Sequence, residues 1–119
     1  METIKIIAYG TLMSGESNHH FCKNSINIKP CFVKGTLYDT GFGFPALKII
    51  GDNKIKAEII ELPKEDLNKI DILECYPYMY NRCLIKAETK DGIDEGWIYT
   101  INILPSDSII IPSGDWKRR

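Results

Sequence analysis

The 119-residue sequence lacks a long hydrophobic run and an excess of either charge. Its apolar stretches, such as Ile4–Tyr9 and Ile109–Ile111, are far shorter than the roughly 20 apolar residues of a membrane span. Fifteen Lys and Arg against sixteen Asp and Glu leave a net charge of −1, whereas nucleic acids and anionic membranes are normally bound by a basic surface. We therefore expect neither partner, and we expect a cytoplasmic location.

The sequence also lacks the cysteine spacings that are typical of metal or redox sites. No two of the four cysteines form a Cys-x-x-Cys pair, and the two adjacent histidines stand at no zinc spacing from them. In a reducing cytoplasm the expectation is free, mostly buried thiols and no bound metal. The residues concerned are Cys22, Cys31, Cys75, Cys83, His19 and His20.

What the sequence does contain is enough apolar material for one core. Hydrophobic residues make up 44% of the chain and charged residues 26%, which is typical of a folded protein rather than a disordered one. A chain of this length suits one compact domain. We expect residues 1–119 to form a single domain, and the composition leaves its oligomeric state open.

Alternating β-branched segments separated by Gly, Pro, Asn and Asp predict six strands. They cover residues 3–9, 30–38, 46–50, 54–62, 82–89 and 96–103. Gly51-Asp52-Asn53 and Lys90-Asp91-Gly92 are predicted hairpin turns, because these residues tolerate positive φ. The expected fold is α+β, with a curled, largely antiparallel sheet or small barrel. One short polar helix is expected around residues 19–23.

A second helix is predicted over residues 63–75, with Pro near its start, acidic residues in its first turn and Pro77 beyond its end. Its apolar face carries Leu67, Ile70 and Leu73, and helical spacing places Glu74 on the same face. A carboxylate there loses hydration, which raises its pKa towards the range of a general acid or base. The alternative is a frayed helix end at which Glu74 turns to solvent.

The first strand runs into Tyr9-Gly10-Thr11-Leu12. A strand that ends in such a turn leaves backbone N–H groups free, and a glycine there allows close approach to the main chain. Free N–H groups can hold a carboxylate or a developing oxyanion. Taken alone, the string is more simply a strand end with a turn.

In combination with later segments, this string resembles the γ-glutamylcyclotransferase-like (AIG2-like) family over nearly the whole chain. The short length and the Ser113-Gly114-Asp115-Trp116 ending look most like the γ-glutamylamine cyclotransferase branch. The matching segments are Tyr9–Leu12 with Gly15 and Asn18-His19, Gly35–Asp39, Phe44–Leu47, Ile70–Glu74, Tyr80–Arg82 and Trp97–Tyr99.

The resemblance implies a mixed β-barrel with flanking short helices and a cavity at one side. It implies that Tyr9, Gly10, Thr11 and Leu12 bind the glutamyl or 5-oxoproline group, largely through main-chain N–H groups. Glu74 matches the family's catalytic acid/base, and a tyrosine matching Tyr80 lines the pocket. The implied reaction needs neither metal nor cofactor.

The implied chemistry is the release of 5-oxoproline and an amine from a small γ-glutamyl substrate. The substrate's own α-amine attacks its γ-carbonyl, and intramolecular reactions of this kind can reach effective molarities of order 10⁵ M. The identity of the leaving amine stays open. The branch often has basic residues after the loop, whereas this chain departs from that pattern with Met13-Ser14.

Three other hypotheses are kept. The first is a non-catalytic domain of the same fold that binds a small carboxylate, and the second is a thiol-dependent enzyme using Cys75 or Cys22. The third is a purely structural barrel with no pocket beside the helix. Arg82 is interpreted as a strand-edge charge, and aromatic residues such as Tyr99 as core more often than pocket lining.

Overall fold

The computed structural model describes residues 2–119. Its strands are β1 (Thr3–Ala8), β2 (Asn27–Asp39), β3 (Pro45–Pro63), β4 (Tyr80–Thr89), β5 (Gly92–Ile101) and β6 (Ile109–Ile110), and its α-helix is α1 (Leu67–Leu73). Short 3₁₀ segments cover His19–Cys22, Lys64–Asp66 and Trp116–Arg118. None of the helices in this part of the chain has the length and apolar character needed to cross a membrane.

The strands form one sheet in the order β3-β1-β5-β4-β2-β6, and an additional pairing of β2 with β3 closes the sheet on itself. Every pairing is antiparallel except that of β1 with β5. Closure removes most of the exposed sheet edge and leaves β6 as a short extension beside β2. The expected α+β, mixed and largely antiparallel barrel with short flanking helices is confirmed.

Alternation along the strands fills the barrel. On β2, the side chains of Cys31, Val33 and Leu37 face inward, while Phe32, Lys34 and Thr36 are more exposed. Ile55 and Ile59 on β3 meet them from the neighbouring strand. The interior of the barrel is therefore filled by apolar side chains. A ligand has to bind at an end of the barrel and not in its centre.

The predicted hairpin at Gly51-Asp52-Asn53 is wrong. The two segments on either side of it belong to the single strand β3, and both pair with β2. The register jumps between Gly35 and Thr36, so that Gly35 pairs with Asn53 and Thr36 with Lys48. The Gly51-Asp52-Asn53 segment makes a bulge instead of a reversal because β2 is long enough to pair with β3 on both sides of it.

The predicted turn at Lys90-Asp91-Gly92 is confirmed, since Thr89 pairs with Gly92 across it. The cysteine prediction is half right: Cys22 and Cys31 are buried, whereas Cys75 and Cys83 are exposed. Trp116 is buried, and the Arg119 guanidinium lies 3.6 Å from the centre of its ring.

Candidate active site

A cavity of about 220 Å³ opens at the end of β1. Protein ligand pockets commonly measure about 300–1,000 Å³, so this cavity suits a ligand of few heavy atoms. All six residues proposed from the sequence as site residues line it, and Asn18, Phe44, Pro45 and Tyr99 are among the others that do so. The six are Tyr9, Gly10, Thr11, Leu12, Glu74 and Tyr80.

The loop after β1 is held by hydrogen bonds to residues that follow it closely in the sequence. The Asn18 side-chain amide donates to Thr11 Oγ1 at 3.0 Å, and the Asn18 backbone N–H donates to the Thr11 carbonyl at 2.8 Å. A ring nitrogen of His19 lies 2.8 Å from the Leu12 carbonyl. Within residues 2–119, the N–H groups of Gly10, Thr11 and Leu12 donate to no protein acceptor. The loop thus presents unused donors at the cavity.

Gly10 is required by packing against Pro45. A Cβ at position 10 would collide with Pro45 Cγ and lie 2.8 Å from Pro45 Cδ. The sequence reasoning expected this glycine to admit a ligand, and the structure shows that Pro45 takes the space over it. Gly10 therefore shapes the wall of the cavity.

The two predicted tyrosines are anchored by their hydroxyl groups. Tyr9 donates to the Tyr99 carbonyl at 2.6 Å, and Tyr80 donates to the Pro45 carbonyl at 2.8 Å. Burial raises the pKa of both phenols, and the nearby Glu74 raises them further. Both hydroxyl protons are thus committed to the backbone, and each phenol is left as a neutral wall with an oxygen that can accept a hydrogen bond.

Glu74 stands at the C-terminal cap of α1 because the helix ends in a Schellman motif. Cys75 adopts a left-handed conformation (φ 52°), its N–H donates to the Ile72 carbonyl, and the N–H of Tyr76 donates to the Asp71 carbonyl. This geometry ends the helix at Leu73 and satisfies its last carbonyls. The predicted helix over residues 63–75 is realised as a 3₁₀ turn followed by α1.

The Glu74 side chain is half-buried and contributes to the cavity wall. Burial raises its pKa from 4.5 to about 7, and no hydrogen bond or cation from residues 2–119 offsets that rise. No Lys, Arg or His side chain of the described chain lines the cavity. The carboxyl group is therefore poised to exchange a proton near neutral pH.

A polar cluster beside Glu74 was missed by the sequence reasoning. Arg82 is not a strand-edge charge: its Nε lies 2.9 Å from Asp71 Oδ1 and its second guanidinium nitrogen 3.1 Å from Oδ2. The Tyr99 hydroxyl donates to the same carboxylate at 2.5 Å. The sequence feature that could have pointed to this cluster is Asp71, a second carboxylate about one helical turn before Glu74.

The cysteines lie outside the cavity lining. Burial raises the pKa of the Cys22 thiol to about 11, which disfavours a thiolate. Cys75 follows Glu74 but is exposed to solvent. Across residues 2–119, no three His, Cys, Asp or Glu side chains are grouped so as to hold a metal ion.

Comparison with known proteins shows the family to which this chain belongs. The sequence profile of the family "Gamma-glutamyl cyclotransferase, AIG2-like" matches residues 6–118. A Niallia circulans protein named gamma-L-glutamyl-butirosin B gamma-glutamyl cyclotransferase is 30% identical over 120 residues, covering 95% of this chain and 75% of the relative. This chain belongs to the AIG2-like γ-glutamylcyclotransferase family, and the family and relative names indicate γ-glutamylcyclotransferase activity.

Solved structures agree on the fold. An AIG2-like protein from Mus musculus superposes with a TM-score of 0.79 at 20% identity, covering 97% of this chain and 90% of that one. An uncharacterised protein from Pyrococcus horikoshii gives a TM-score of 0.75 at 25% identity, covering 96% and 90%. The barrel with its short helices is thus shared across distant sequences.

Proposed function

We propose that this chain cleaves small γ-glutamyl amines or amides to 5-oxoproline and a free amine, with Glu74 as the general acid and base. The observation that carries the proposal is the half-buried Glu74 carboxyl, whose pKa is raised to about 7, in the same cavity as three unpaired backbone N–H groups. A relative whose name gives it a γ-glutamyl substrate supports the substrate class.

In this proposal the glutamyl end of the substrate binds at Tyr9–Leu12. Since no cationic side chain of the described residues lines the cavity, the free N–H groups of Gly10, Thr11 and Leu12 supply the donors for the substrate's oxygens. Tyr9 and Tyr80 form the walls and hold the chain of the substrate curled. The leaving amine projects towards the open side of the cavity.

The reaction proceeds through proton transfer at one carboxyl group. The Glu74 carboxylate takes a proton from the substrate's α-ammonium group, and the freed amine attacks the γ-carbonyl to form the new C–N bond. The resulting Glu74 carboxylic acid then protonates the leaving nitrogen as the old C–N bond breaks. The attacking nitrogen gives up its second surplus proton through the Glu74 carboxylate to the released amine, which departs as an ammonium ion. The carboxylate is regenerated, and the scheme uses no metal, cofactor or redox partner.

Glu74→Gln tests the assignment. The amide keeps the shape of the side chain but cannot exchange the proton, so we expect 5-oxoproline release to fall at least about a hundredfold. The measurement is 5-oxoproline formation from a panel of γ-glutamyl amines and peptides. Glu65→Gln is the matched control, because Glu65 is exposed in the 3₁₀ turn before α1 and lies outside the cavity lining.

Near-wild-type turnover by Glu74→Gln would remove Glu74 from the mechanism. If the wild-type protein binds 5-oxoproline but turns over nothing in the panel, the non-catalytic carboxylate-binding domain becomes the better assignment. Loss of activity in Cys75→Ala, or on alkylation of the remaining thiols in that background, would instead favour a cysteine-dependent reaction.

A further inference from the structure

The carboxylate of Asp71 joins α1 to the two strands that flank the cavity. Arg82 on β4 contacts both of its oxygens, and Tyr99 on β5 donates to Oδ1. Arg82 and Tyr99 are direct cross-strand partners in the pairing of β4 with β5. Two side chains that are adjacent in the sheet therefore contact the same side chain of α1. Asp71 and Arg82 are each about one-sixth exposed, which protects the pair from solvent screening.

The Arg82 guanidinium is also held by aromatic rings. It lies 4.4 Å from the ring centre of Tyr76 and 4.9 Å from that of Trp97. Tyr76 belongs to the turn that ends α1, and its N–H caps the Asp71 carbonyl. The cluster therefore holds both the side chain and the backbone of the last helical turn, which is the turn that carries Glu74.

Glu74 itself has no such restraint. Its side chain makes no hydrogen bond to the described residues, so its direction depends on the helix end from which it projects. The geometry points to Asp71, Arg82 and Tyr99 as positioning residues that hold the end of α1 against β4 and β5 and so aim Glu74 into the cavity. This inference rests on the proposed cyclotransferase function.

The titratable groups that face Glu74 come from every neighbouring element. Tyr9 approaches from the end of β1, Tyr80 from β4 and Tyr99 from β5, and the pKa of each phenol is raised in part by Glu74. Asp71 lies one turn back on α1 itself. Because Asp71 carries a charge, its removal would alter the titration of Glu74 directly, and a clean test has to keep that charge in place.

The experiment uses two variants that preserve the net charge of the cluster. Arg82→Lys replaces the planar guanidinium group with a single ammonium group. The ammonium cannot contact both Asp71 oxygens in the same way or stack on the aromatic rings. Tyr99→Phe removes only the hydroxyl donor. We expect kcat to fall about tenfold or more in Arg82→Lys, and less in Tyr99→Phe, with KM changed by less than about twofold, because small misplacements of a reacting group are costly.

The second readout is a ¹³C NMR titration of the Glu74 carboxyl, which needs no substrate. A loosened helix end lets water reach the carboxyl, so its midpoint should move down by at least roughly half a pH unit in both variants. Arg119→Lys is the matched control, since Arg119 also stacks on an aromatic ring and faces a carboxylate, at the C-terminus. It should leave kcat and the titration unchanged.

Folded Arg82→Lys and Tyr99→Phe proteins with wild-type kcat and a wild-type Glu74 midpoint would overturn the inference. If Arg82→Lys does not fold, Tyr99→Phe decides the question alone, because it leaves the ion pair intact. A wild-type protein without turnover would defeat the proposed function, whereas the titration would still show whether the cluster controls Glu74.

Discussion

Asp71 and Glu74 are carboxylates one helical turn apart, and they occupy opposite situations. Asp71 accepts hydrogen bonds from Arg82 and Tyr99, while Glu74 accepts none from the described residues and has its pKa raised to about 7 by burial. Both side chains are partly buried. The difference lies in the hydrogen bonds that the neighbouring strands make: Arg82 on β4 and Tyr99 on β5 donate to Asp71, and no described residue donates to Glu74.

This contrast shows how one short helix can carry two roles. A paired carboxylate stabilises the place where the helix meets the sheet, and an unpaired one lowers stability but holds a proton near neutral pH.

The largest expected effect is on the pH dependence of the rate. With a Glu74 pKa of about 7, kcat/KM should rise tenfold per pH unit on the acid side and level off above about pH 7. At pH 5 it should be about one-hundredth of its plateau, because only that fraction of the carboxyl is ionised. The measurement is kcat/KM from pH 5 to 8.

The control for the pH profile is again Glu65→Gln, which should keep the same acid limb. A profile that is flat between pH 5 and 8 in the wild-type protein would contradict the assignment of the limb to Glu74.

The next effect is on stability, and the two carboxylates should give opposite signs. At pH 8, Asp71→Asn should lower the free energy of unfolding by roughly 2 kcal/mol, because Arg82 loses its charged partner in a mostly buried site. Glu74→Gln should raise it by about 1–2 kcal/mol at the same pH, a value discounted for partial exposure. Urea unfolding at pH 8 measures both.

The stabilisation by Glu74→Gln should depend on pH. Below about pH 4.5, the carboxyl is protonated in both the folded and the unfolded protein, so its burial carries no charge penalty. The penalty grows as pH rises from 4.5 to about 7 and is complete above that. A gain that is equally large at pH 4 would show that ionisation of Glu74 is not its cause.

The smallest effect concerns the residue that ends the helix between these groups. Cys75 is an L-residue in the left-handed region, with φ of 52°, where glycine has no steric penalty. Cys75→Gly should raise the free energy of unfolding by up to about 1 kcal/mol and leave kcat unchanged. Cys75→Ala is the control, since it removes the thiol without relieving the backbone, and an equal gain from it would point to the thiol instead.

Much of the fold could be predicted from local patterns. Period-two alternation located the main strands, and the turn at Lys90-Asp91-Gly92 followed from its composition. The bulge at residues 49–52 was misread as a hairpin because a Gly-Asp-Asn sequence does not reveal whether the chain reverses there. That outcome was decided by the long β2 strand, which pairs with β3 on both sides of the bulge.

The candidate site was predictable where its residues are close in sequence, and less so elsewhere. Tyr9–Leu12 and Glu74 were found from a strand end, a helical face and a family resemblance, and they do line one cavity. Tyr99 was interpreted as core, and it is buried there, but its hydroxyl also donates to Asp71. Arg82 was interpreted as a strand-edge charge, whereas it pairs with Asp71. Their partners lie 28 and 11 residues away, and spacing along the chain carries no information about such contacts.

The sequence by itself determined the family, the alternation that builds the barrel, and the carboxylate on the apolar face of the helix. The tertiary structure alone decided which carboxylate is paired. Side-chain chemistry and local periodicity follow directly from the order of the residues. Desolvation and hydrogen-bond partners depend instead on what the closed sheet brings near each group: Arg82 of β4 and Tyr99 of β5 donate to Asp71, whereas no donor of the described residues bonds to the Glu74 carboxyl.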